Sequence, residues 1–375
     1  MNVLVTIAGA ALLVYAAVTV PRNIKKARAL KAQAKADVPL RIDPAAYGLV
    51  PAAQVDITRP GPDPEVDAAL AAARAGDWQY AAGYLAAAGT DWDVRGYRAS
   101  QLAEVAVEDD TWLTVWRGRL PGDPGAALVH AMALVKLAGD VRGSQQAKNT
   151  TAEQFDGFRR LLAGALPACQ EAARLAPYDP NPWVPQISIA KGLGWSHDDF
   201  RQLWAQITAR DPHHFIAHHA ALQYWCEKWR GSRELMFAFA EQAAASAPRG
   251  SLLAYMPLLA IYEQALNDPD YSIYDQPFVT AAADAMLDAI DEAHPGYFRI
   301  PLVRHLLANT LFRLHRYAEA AEQFRAIGGY AGAIPWTYAD EPLKRFVHVR
   351  TNTFTEWERA GRPAAPARRG APAGY

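Results

Sequence analysis

A turn that contains proline recurs at a nearly regular interval in the middle of the chain. It reads Asp179-Pro180, Asp211-Pro212 and Ala247-Pro248, at spacings of 32 and 36 residues. Each turn follows an Ala-rich stretch, and alternating β-branched runs, which are typical of strands, are nearly absent from the body of the chain. A helix pair that repeats about every 34 residues is typical of an α-solenoid, in which each pair packs on the next. The spacing therefore predicts an all-α fold.

The stretch from residue 307 to residue 327 shows one repeat in detail. Small residues stand where two paired helices must approach closely, at Ala308 and Ala320-Ala321. Larger side chains stand at the positions that fill the gaps, namely Leu307, Leu311, Phe312, Tyr317, Phe324 and Ile327. This segment resembles a tetratricopeptide repeat, and the resemblance implies a helix pair with its turn at His315-Arg316. The other units match less closely, so we expect a tetratricopeptide-like α-solenoid of degenerate helix pairs over residues 63–360.

Capping signals mark where several helices begin. Asp63-Pro64 places a capping side chain directly before a proline at the first helical position. Thr150 and Glu153 have the spacing of a capping box. Ser232 precedes a helical stretch that contains Leu235, Met236 and Phe239, and we expect it to cap that helix.

A series of short motifs follows in a fixed order between about residues 140 and 245. They are Arg142-Gly143, Ala172-Ala173, Asp179-Pro180-Asn181-Pro182-Trp183, Arg210-Asp211-Pro212-His213-His214, His219 and Lys228-Trp229-Arg230-Gly231-Ser232. In this order they resemble an uncharacterised bacterial family of helical-repeat proteins with a K-W-G-G-S-type motif. Arg230 stands where that family usually has glycine. The resemblance implies a helical-repeat fold and carries no assigned activity.

The first twenty residues carry no charged side chain. As a helix they would span about 27–30 Å, the thickness of a bilayer core. Six basic residues follow between Arg22 and Lys35, before the first acid at Asp37. The positive-inside rule then predicts a single-pass anchor over residues 1–21, membrane contact through residues 1–35, and the bulk of the chain in the cytoplasm. A cleaved signal peptide fits less well, because no basic segment precedes the apolar run. A body that faces outside, and a buried or interfacial helix, stay open as alternatives.

The segments beside the repeat region have compositions of their own. Residues 22–62 combine the basic juxtamembrane stretch with five prolines from residue 39 onward, which predicts a linker. Residues 361–375 consist mainly of Pro, Ala, Gly and Arg, which predicts a disordered tail. The formal net charge of the chain is −1, which argues against a nucleic-acid partner. Two cysteines exclude a disulfide-dense scaffold and a Cys-rich zinc module.

The densest cluster of candidate ligands is His213-His214-x-x-x-His218-His219. On a helix that starts at Asp211-Pro212, His214 and His218 would lie one turn apart on one face, which is metal-ligand spacing. No H-E-x-x-H motif and no second ligand pair of fixed spacing accompany them. We therefore expect no metal or cofactor, and His219 is expected to be a core histidine.

The turn Lys228-Trp229-Arg230-Gly231-Ser232 has two interpretations. A cation, an aromatic face and a helix N-terminus at Ser232 can together receive a carboxylate or a phosphate. In the structural interpretation, Gly231 turns the chain, Ser232 caps the next helix and Trp229 packs between repeats. Nucleophile elbows, phosphate-binding loops and dinucleotide-binding glycine motifs are absent from the sequence, so we do not expect an enzyme.

Together these features predict a membrane-anchored helical-repeat scaffold that binds a protein partner on the cytoplasmic side. The residues predicted to contact a partner or ligand are Arg142, Trp183, His219, Lys228, Trp229 and Ser232. The alternative is a small-ligand or metal-binding sensor, or an enzyme, that uses the region of His214, His218 and Lys228.

Overall fold

A computed structural model describes residues 42–142, 151–268 and 270–366. The described residues are helical and contain no β-strand, apart from one isolated parallel bridge between Asp56 and Tyr330. The predicted all-α class is confirmed. The described α-helices are α1 Pro64–Arg74, α2 Trp78–Ala86, α3 Trp92–Glu108, α4 Thr111–Arg119, α5 Pro124–Arg142, α6 Ala152–Leu175, α7 Val184–Leu193, α8 His197–Thr208, α9 Phe215–Trp225, α10 Arg233–Ser246, α11 Tyr255–Ala265, α12 Pro277–Glu292, α13 Ile300–Arg313, α14 Tyr317–Ile327 and α15 Pro342–Arg359.

Side-chain caps begin several of these helices where the sequence predicts them. The Asp63 carboxylate accepts a hydrogen bond from the Val66 N–H at 3.1 Å, with Pro64 at the first position of α1. The Ser232 hydroxyl likewise accepts from the Leu235 N–H at 3.2 Å and begins α10. The predicted starts of both helices are confirmed.

The capping box of α6 lies one residue later than predicted. The Thr151 hydroxyl accepts from the Gln154 N–H at 3.2 Å, and the Gln154 side chain accepts from the Thr151 N–H at 2.9 Å. Because two threonines are adjacent and Glu153 is followed by Gln154, the same pattern fits both registers. Glu153 instead lies in the first turn of α6, where its charge complements the helix dipole.

The described residues divide into two compact units. The smaller unit contains residues 42–60, 265–268, 270–277 and 304–366, and the larger unit contains residues 61–142, 151–264 and 278–303. We expected one repeat region from residue 63 to residue 360 and did not anticipate this division.

Residues 42–60, which we expected to belong to a linker, are an integral part of the smaller unit. Leu49 is 4% exposed, and the Tyr47 ring lies 5.0 Å from the Phe354 ring. The Asp56 N–H donates to the Gly329 carbonyl at 2.8 Å. The prolines of this segment prevent a long helix, but the apolar side chains between them are still available for burial.

The helix pair predicted over residues 307–327 is present as α13 and α14. Leu307, Ala308, Leu311 and Phe324 are each 0% exposed, so the predicted packing positions form the interior of the pair. At the turn between the helices, His315 adopts a φ of 59° and Arg316 forms an ion pair with Glu319.

One segment of the described chain is long and apolar enough to cross a membrane, Pro124–Val141 in α5. It is weak support for a span, because 44% of it is buried inside the structure, as in the core helix of a soluble domain. The predicted anchor over residues 1–21, the basic segment up to residue 41 and the tail from residue 367 lie outside the described residues.

Candidate functional site

Seven polar residues meet in the interior of the larger unit, and we call them the buried polar cluster. They come from the start of α3, the segment before α7, the start of α9 and the segment before α13, and they are Asp93, Arg95, Asp179, Asn181, His214, Tyr297 and Arg299. Since buried charges are costly unless they are paired, the pairing within this cluster decides what it can do.

Asp179 and Asn181, from the predicted D-P-x-P-W motif, are fixed by mutual hydrogen bonds. Asp179 Oδ2 accepts from Arg95 Nε at 2.8 Å, and Asp179 Oδ1 accepts from the Asn181 N–H at 2.8 Å and from Asn181 Nδ2 at 2.7 Å. Asn181 Nδ2 also donates to the Trp92 carbonyl at 2.9 Å. A Cβ on Gly96 would lie 2.1 Å from Asn181 Oδ1, so α3 approaches this motif closely only because residue 96 has no side chain.

His214 is the N-cap of α9, where its imidazole satisfies two groups. Nδ1 accepts from the Ala217 N–H at 3.3 Å, so Nε2 carries the proton and donates to Asn181 Oδ1 at 3.1 Å. Burial lowers the pKa of His214, and nearby carboxylates, chiefly Asp93, oppose this effect. The residue therefore acts as a neutral bridge between two helix starts.

The metal-ligand geometry considered for His214 and His218 depended on a helix that begins at Asp211-Pro212. In the structure α9 begins at Phe215, and His214 has the non-helical angles φ −58° and ψ 108°. The two imidazoles are therefore not one helical turn apart on one face. His218 Nδ1 donates to the His214 carbonyl at 3.0 Å, and its ring lies 4.9 Å from the Trp204 ring. Burial lowers the pKa of His218 to about 4. Among the described residues, no group of three or more His, Cys, Asp or Glu side chains is arranged to hold a metal.

Arg299 and Asp93 form the second half of the buried polar cluster. Arg299 Nε and Nη2 donate to the two Asp93 oxygens at 2.6 Å and 2.7 Å, and the Tyr297 hydroxyl donates to Asp93 Oδ2 at 2.6 Å. Burial would raise the pKa of Asp93, but the Arg299 charge and these hydrogen bonds outweigh it, so the pKa lies below its usual value. The guanidinium also lies 4.7 Å from the Phe298 ring and 5.1 Å from the Phe215 ring.

The predicted turn at residues 228–232 is tightly constrained. A Cβ on Gly231 would lie 1.7 Å from the Trp225 carbonyl oxygen, so no other residue fits there without movement of the backbone. Arg230 does not adopt a positive φ, so this position accommodates an arginine without backbone strain. The Arg230 carbonyl accepts from His197 Nε2 at 2.6 Å, which connects the turn to the start of α8.

Beside this turn lies a group of charged and aromatic side chains that we call the Lys228 site. Its members are Lys191, His219, Lys228, Trp229 and Glu263. Lys228 Nζ lies 2.6 Å from Glu263 Oε2, and Gln223 Nε2 donates to Glu263 Oε1 at 2.6 Å. The Lys228 side chain is 42% exposed, whereas that of Glu263 is only 4% exposed. Lys191 Nζ lies 5.0 Å from the centre of the half-buried Trp229 ring.

His219 lies one helical turn before Gln223 on α9, and the charge of Lys191 acts on it, so we include it in the Lys228 site. Its ring stacks on the Tyr255 ring with 6.2 Å between centres, and no described residue forms a hydrogen bond with its ring nitrogens. Burial lowers the pKa of His219 to about 4, and the positive charges of Arg299 and Lys191 add to this effect. The imidazole is therefore neutral at physiological pH and can donate or accept one hydrogen bond.

The remaining candidates have different surroundings. Trp183 is half-buried beneath the guanidinium of Arg210, whose Cζ lies 3.8 Å from the ring centre. Ser232 uses its hydroxyl as the cap of α10. Arg142 ends α5, but its side chain lies outside what the structure describes. Lys228 and Trp229 thus lie on one turn, and Lys191 lies near Trp229 and acts on His219, whereas Trp183 and Ser232 have packing and capping roles.

Sequence reasoning missed Lys191, Glu263, Asp93 and Arg299. Each is a single charged residue that no local motif marks. For Glu263 a signal did exist, because it lies 35 residues after Lys228, close to one repeat.

Comparison of the chain with family models, curated proteins and solved structures finds no match.

Proposed function

We propose that this protein is a membrane-anchored helical-repeat scaffold that holds a protein partner at the Lys228 site, on the cytoplasmic side. In this proposal residues 1–21 cross the membrane, residues 22–41 lie near anionic headgroups, and the helical units carry out recognition. The resemblance to an uncharacterised helical-repeat family belongs to the same proposal.

The observation that carries the repeat architecture is the separation of side-chain hydrogen bonds along the chain. In the larger unit, seven side-chain bonds between helix pairs have separations of 33 to 35 residues, beside others at 29, 32 and 40 residues. The seven are Glu65–Arg98, Arg74–Glu108, Pro177–Arg210, Asn181–His214, His197–Arg230, His213–Ser246 and Lys228–Glu263. A tetratricopeptide-type repeat has this length. Corresponding positions of adjacent repeats therefore lie side by side, which supports a solenoid of degenerate repeats.

The Lys228 site has the composition of a recognition surface. Lys228 and Lys191 supply cations near the surface, Trp229 supplies an aromatic face, and His219 supplies a neutral hydrogen-bonding group. Aromatic residues are typical anchors of interfaces, and an ammonium group selects carboxylates. We therefore propose that the partner presents an acidic segment here.

Site-specific photocrosslinking on the full-length chain in native membranes tests this proposal. A benzophenone amino acid replaces Trp229, and a matched control replaces Tyr178, which is 82% exposed elsewhere on the larger unit. We expect a defined protein adduct from position 229 that is absent from position 178 and that disappears when Lys228→Glu is added. Absence of an adduct at 229, or an adduct that Lys228→Glu does not change, would contradict the proposed recognition site. Release of the chain by carbonate wash would contradict the anchor.

A small-ligand sensor is the second candidate, and the state of His219 favours it. A neutral, half-buried imidazole with no described hydrogen-bond partner, next to two cations, is suited to bind a small anion. Equilibrium dialysis with radiolabelled small carboxylates, compared between the wild-type chain and His219→Phe, tests this candidate. Equal retention by both chains would refute it.

A further inference from the structure

The smaller unit contains a pocket that the proposed function does not use. It has a volume of about 320 Å³ and lies between residues 270–275, the α13–α14 turn and one face of α15. Tyr271, Tyr274, Phe312 and Tyr317 form aromatic walls, so we call it the tyrosine pocket. Ligand pockets commonly combine such apolar walls with a small number of convergent polar groups.

Two arginines, Arg313 and Arg345, line the tyrosine pocket. The Arg313 Cζ lies 4.2 Å from the centre of the Tyr271 ring, which fixes the orientation of its planar group. Arg345 enters from α15. Burial raises the pKa of Tyr274 to about 12, and the charges of Arg313 and Arg345 oppose this rise.

Arg345 differs from the cation next to it in sequence. Lys344 forms an ion pair with Glu341 at 2.8 Å, on the outside of α15. The Arg345 side chain forms neither an ion pair nor a hydrogen bond with any described residue, although it is only half-exposed. A half-buried guanidinium with unused donors beside a cavity can accept a planar anion in a bidentate manner.

The backbone at the pocket is strained at two positions. Tyr271 and His315 have φ values of 54° and 59°, and they are two of the three described non-glycine residues with positive φ. Non-glycine residues rarely adopt this conformation, and it tends to occur at functional sites. Both side chains line the pocket, where His315 Nδ1 lies 2.6 Å from the Tyr317 hydroxyl.

The acidic residues that line the pocket determine how many negative charges a bound anion can carry. Asp270 and Asp275 also line the pocket, so a ligand with two negative charges would meet repulsion that a singly charged ligand largely avoids. We propose that the tyrosine pocket binds a small aromatic monocarboxylate, whose carboxylate pairs with Arg345 beside Arg313 and whose ring packs among the tyrosines.

Isothermal titration calorimetry on the full-length chain in detergent tests this proposal. The probes are phenylacetate, 4-hydroxyphenylacetate and 3-phenylpropionate, with 2-phenylethanol as the neutral counterpart and phenyl phosphate as the doubly charged one. We expect at least one carboxylate to bind, and the alcohol to bind at least about tenfold more weakly, since it lacks the charge-assisted hydrogen bonds.

Two variants localise the binding. Arg345→Gln is expected to raise the Kd of the best carboxylate at least about tenfold, whereas Lys344→Gln, one residue away, is expected to leave it unchanged. Circular dichroism of both variants confirms that they fold. The proposal is overturned if no carboxylate binds in the millimolar range, if phenyl phosphate binds more tightly than every carboxylate, or if Arg345→Gln binds as the wild type does.

Discussion

Replacement of Asp179 by alanine tests whether the buried polar cluster holds the larger unit together. Its carboxylate is 2% exposed and accepts three hydrogen bonds, one from Arg95 and two from Asn181. Asp179→Ala leaves the Arg95 guanidinium, which is 11% exposed, without its counter-charge. Loss of one partner of a buried ion pair costs about 3–5 kcal/mol. The same substitution leaves the Asn181 N–H without its acceptor. We include the cost of this loss in the range of about 3–5 kcal/mol, because losses at one site are not additive.

The assay is urea unfolding followed by tryptophan fluorescence, with circular dichroism as a second probe because two units can unfold separately. The matched control is Asp198→Ala, which removes a pair with Arg201 whose side chains are 60% and 86% exposed. Exposed pairs contribute little, so this control is expected to change stability by less than about 0.5 kcal/mol.

A double variant separates the pair from the packing around it. Arg95→Met with Asp179→Leu removes both charges at once, and it is expected to be more stable than Asp179→Ala alone, because no buried charge stays unpaired. If Asp179→Ala costs less than about 1 kcal/mol, the reasoning that the cluster is a structural tie is refuted.

Three further predictions concern single positions. Gly231→Ala is expected to lower the urea midpoint strongly, because its Cβ would lie 1.7 Å from the Trp225 carbonyl oxygen, and overpacking of this kind costs about 1–3 kcal/mol or more. Arg350→Met is expected to raise the midpoint by an amount equivalent to about 1–4 kcal/mol, because the guanidinium is 2% exposed and Nη1 has no hydrogen-bond partner among the described residues. Acidification from about pH 6.5 to about pH 4 is expected to lower the free energy of unfolding, because burial lowers the pKa of His305 to about 4, so the unfolded chain takes up the proton first. His305→Gln is expected to flatten this pH dependence.

Each of these predictions has a matched comparison. Gly83→Ala meets no atom within 4 Å in α2 and is expected to be neutral or slightly stabilising. Arg359→Met removes an exposed cation and is expected to have little effect. A midpoint that falls in Arg350→Met would show that the guanidinium is compensated from outside the described residues. An equally steep pH dependence in His305→Gln would assign the protons to other histidines.

The parts of the fold that local chemistry decides were predictable. The caps at Asp63 and Ser232, and the pairing of α13 with α14, depend on residues within a few positions of one another. The burial of residues 42–60 was not predictable, because Tyr47 meets its partner Phe354 about three hundred positions later in the chain. Prolines identify where helices cannot form, but they do not indicate whether a segment is exposed.

The geometry of the candidate site was also hard to predict from the sequence, because it depends on the residue at which a helix begins. The spacing of His214 and His218 indicates a shared face only if both residues are helical, and the structure makes His214 a cap instead. A shift of the helix start by one residue decides whether a histidine is helical or is the N-cap, and so which groups its imidazole contacts. Sequence periodicity does not locate a helix start to within one residue. Lys228, Trp229 and His219 were named as candidates from the sequence, whereas Lys191 near Trp229 and Glu263 bonded to Lys228 had no local signal.

The regular separation of the bonds between helix pairs restricts how this chain can change in length. Insertion of one residue inside a helix rotates everything after it by about 100° relative to what precedes it. In the helices between residues 65 and 263, such an insertion would rotate a bonded side chain away from its partner 33 to 35 positions distant. A helix pair that is bonded to both of its neighbours would often lose bonds to both. Changes of length in related chains are therefore expected at the turns, where the count of residues between bonded positions can vary without rotation of a helix. The separation of 43 residues between Arg249 and Glu292, with the turn that follows Ala265 and the short 3-10 helix Ser272–Asp275 between them, is a variation of that kind within this molecule.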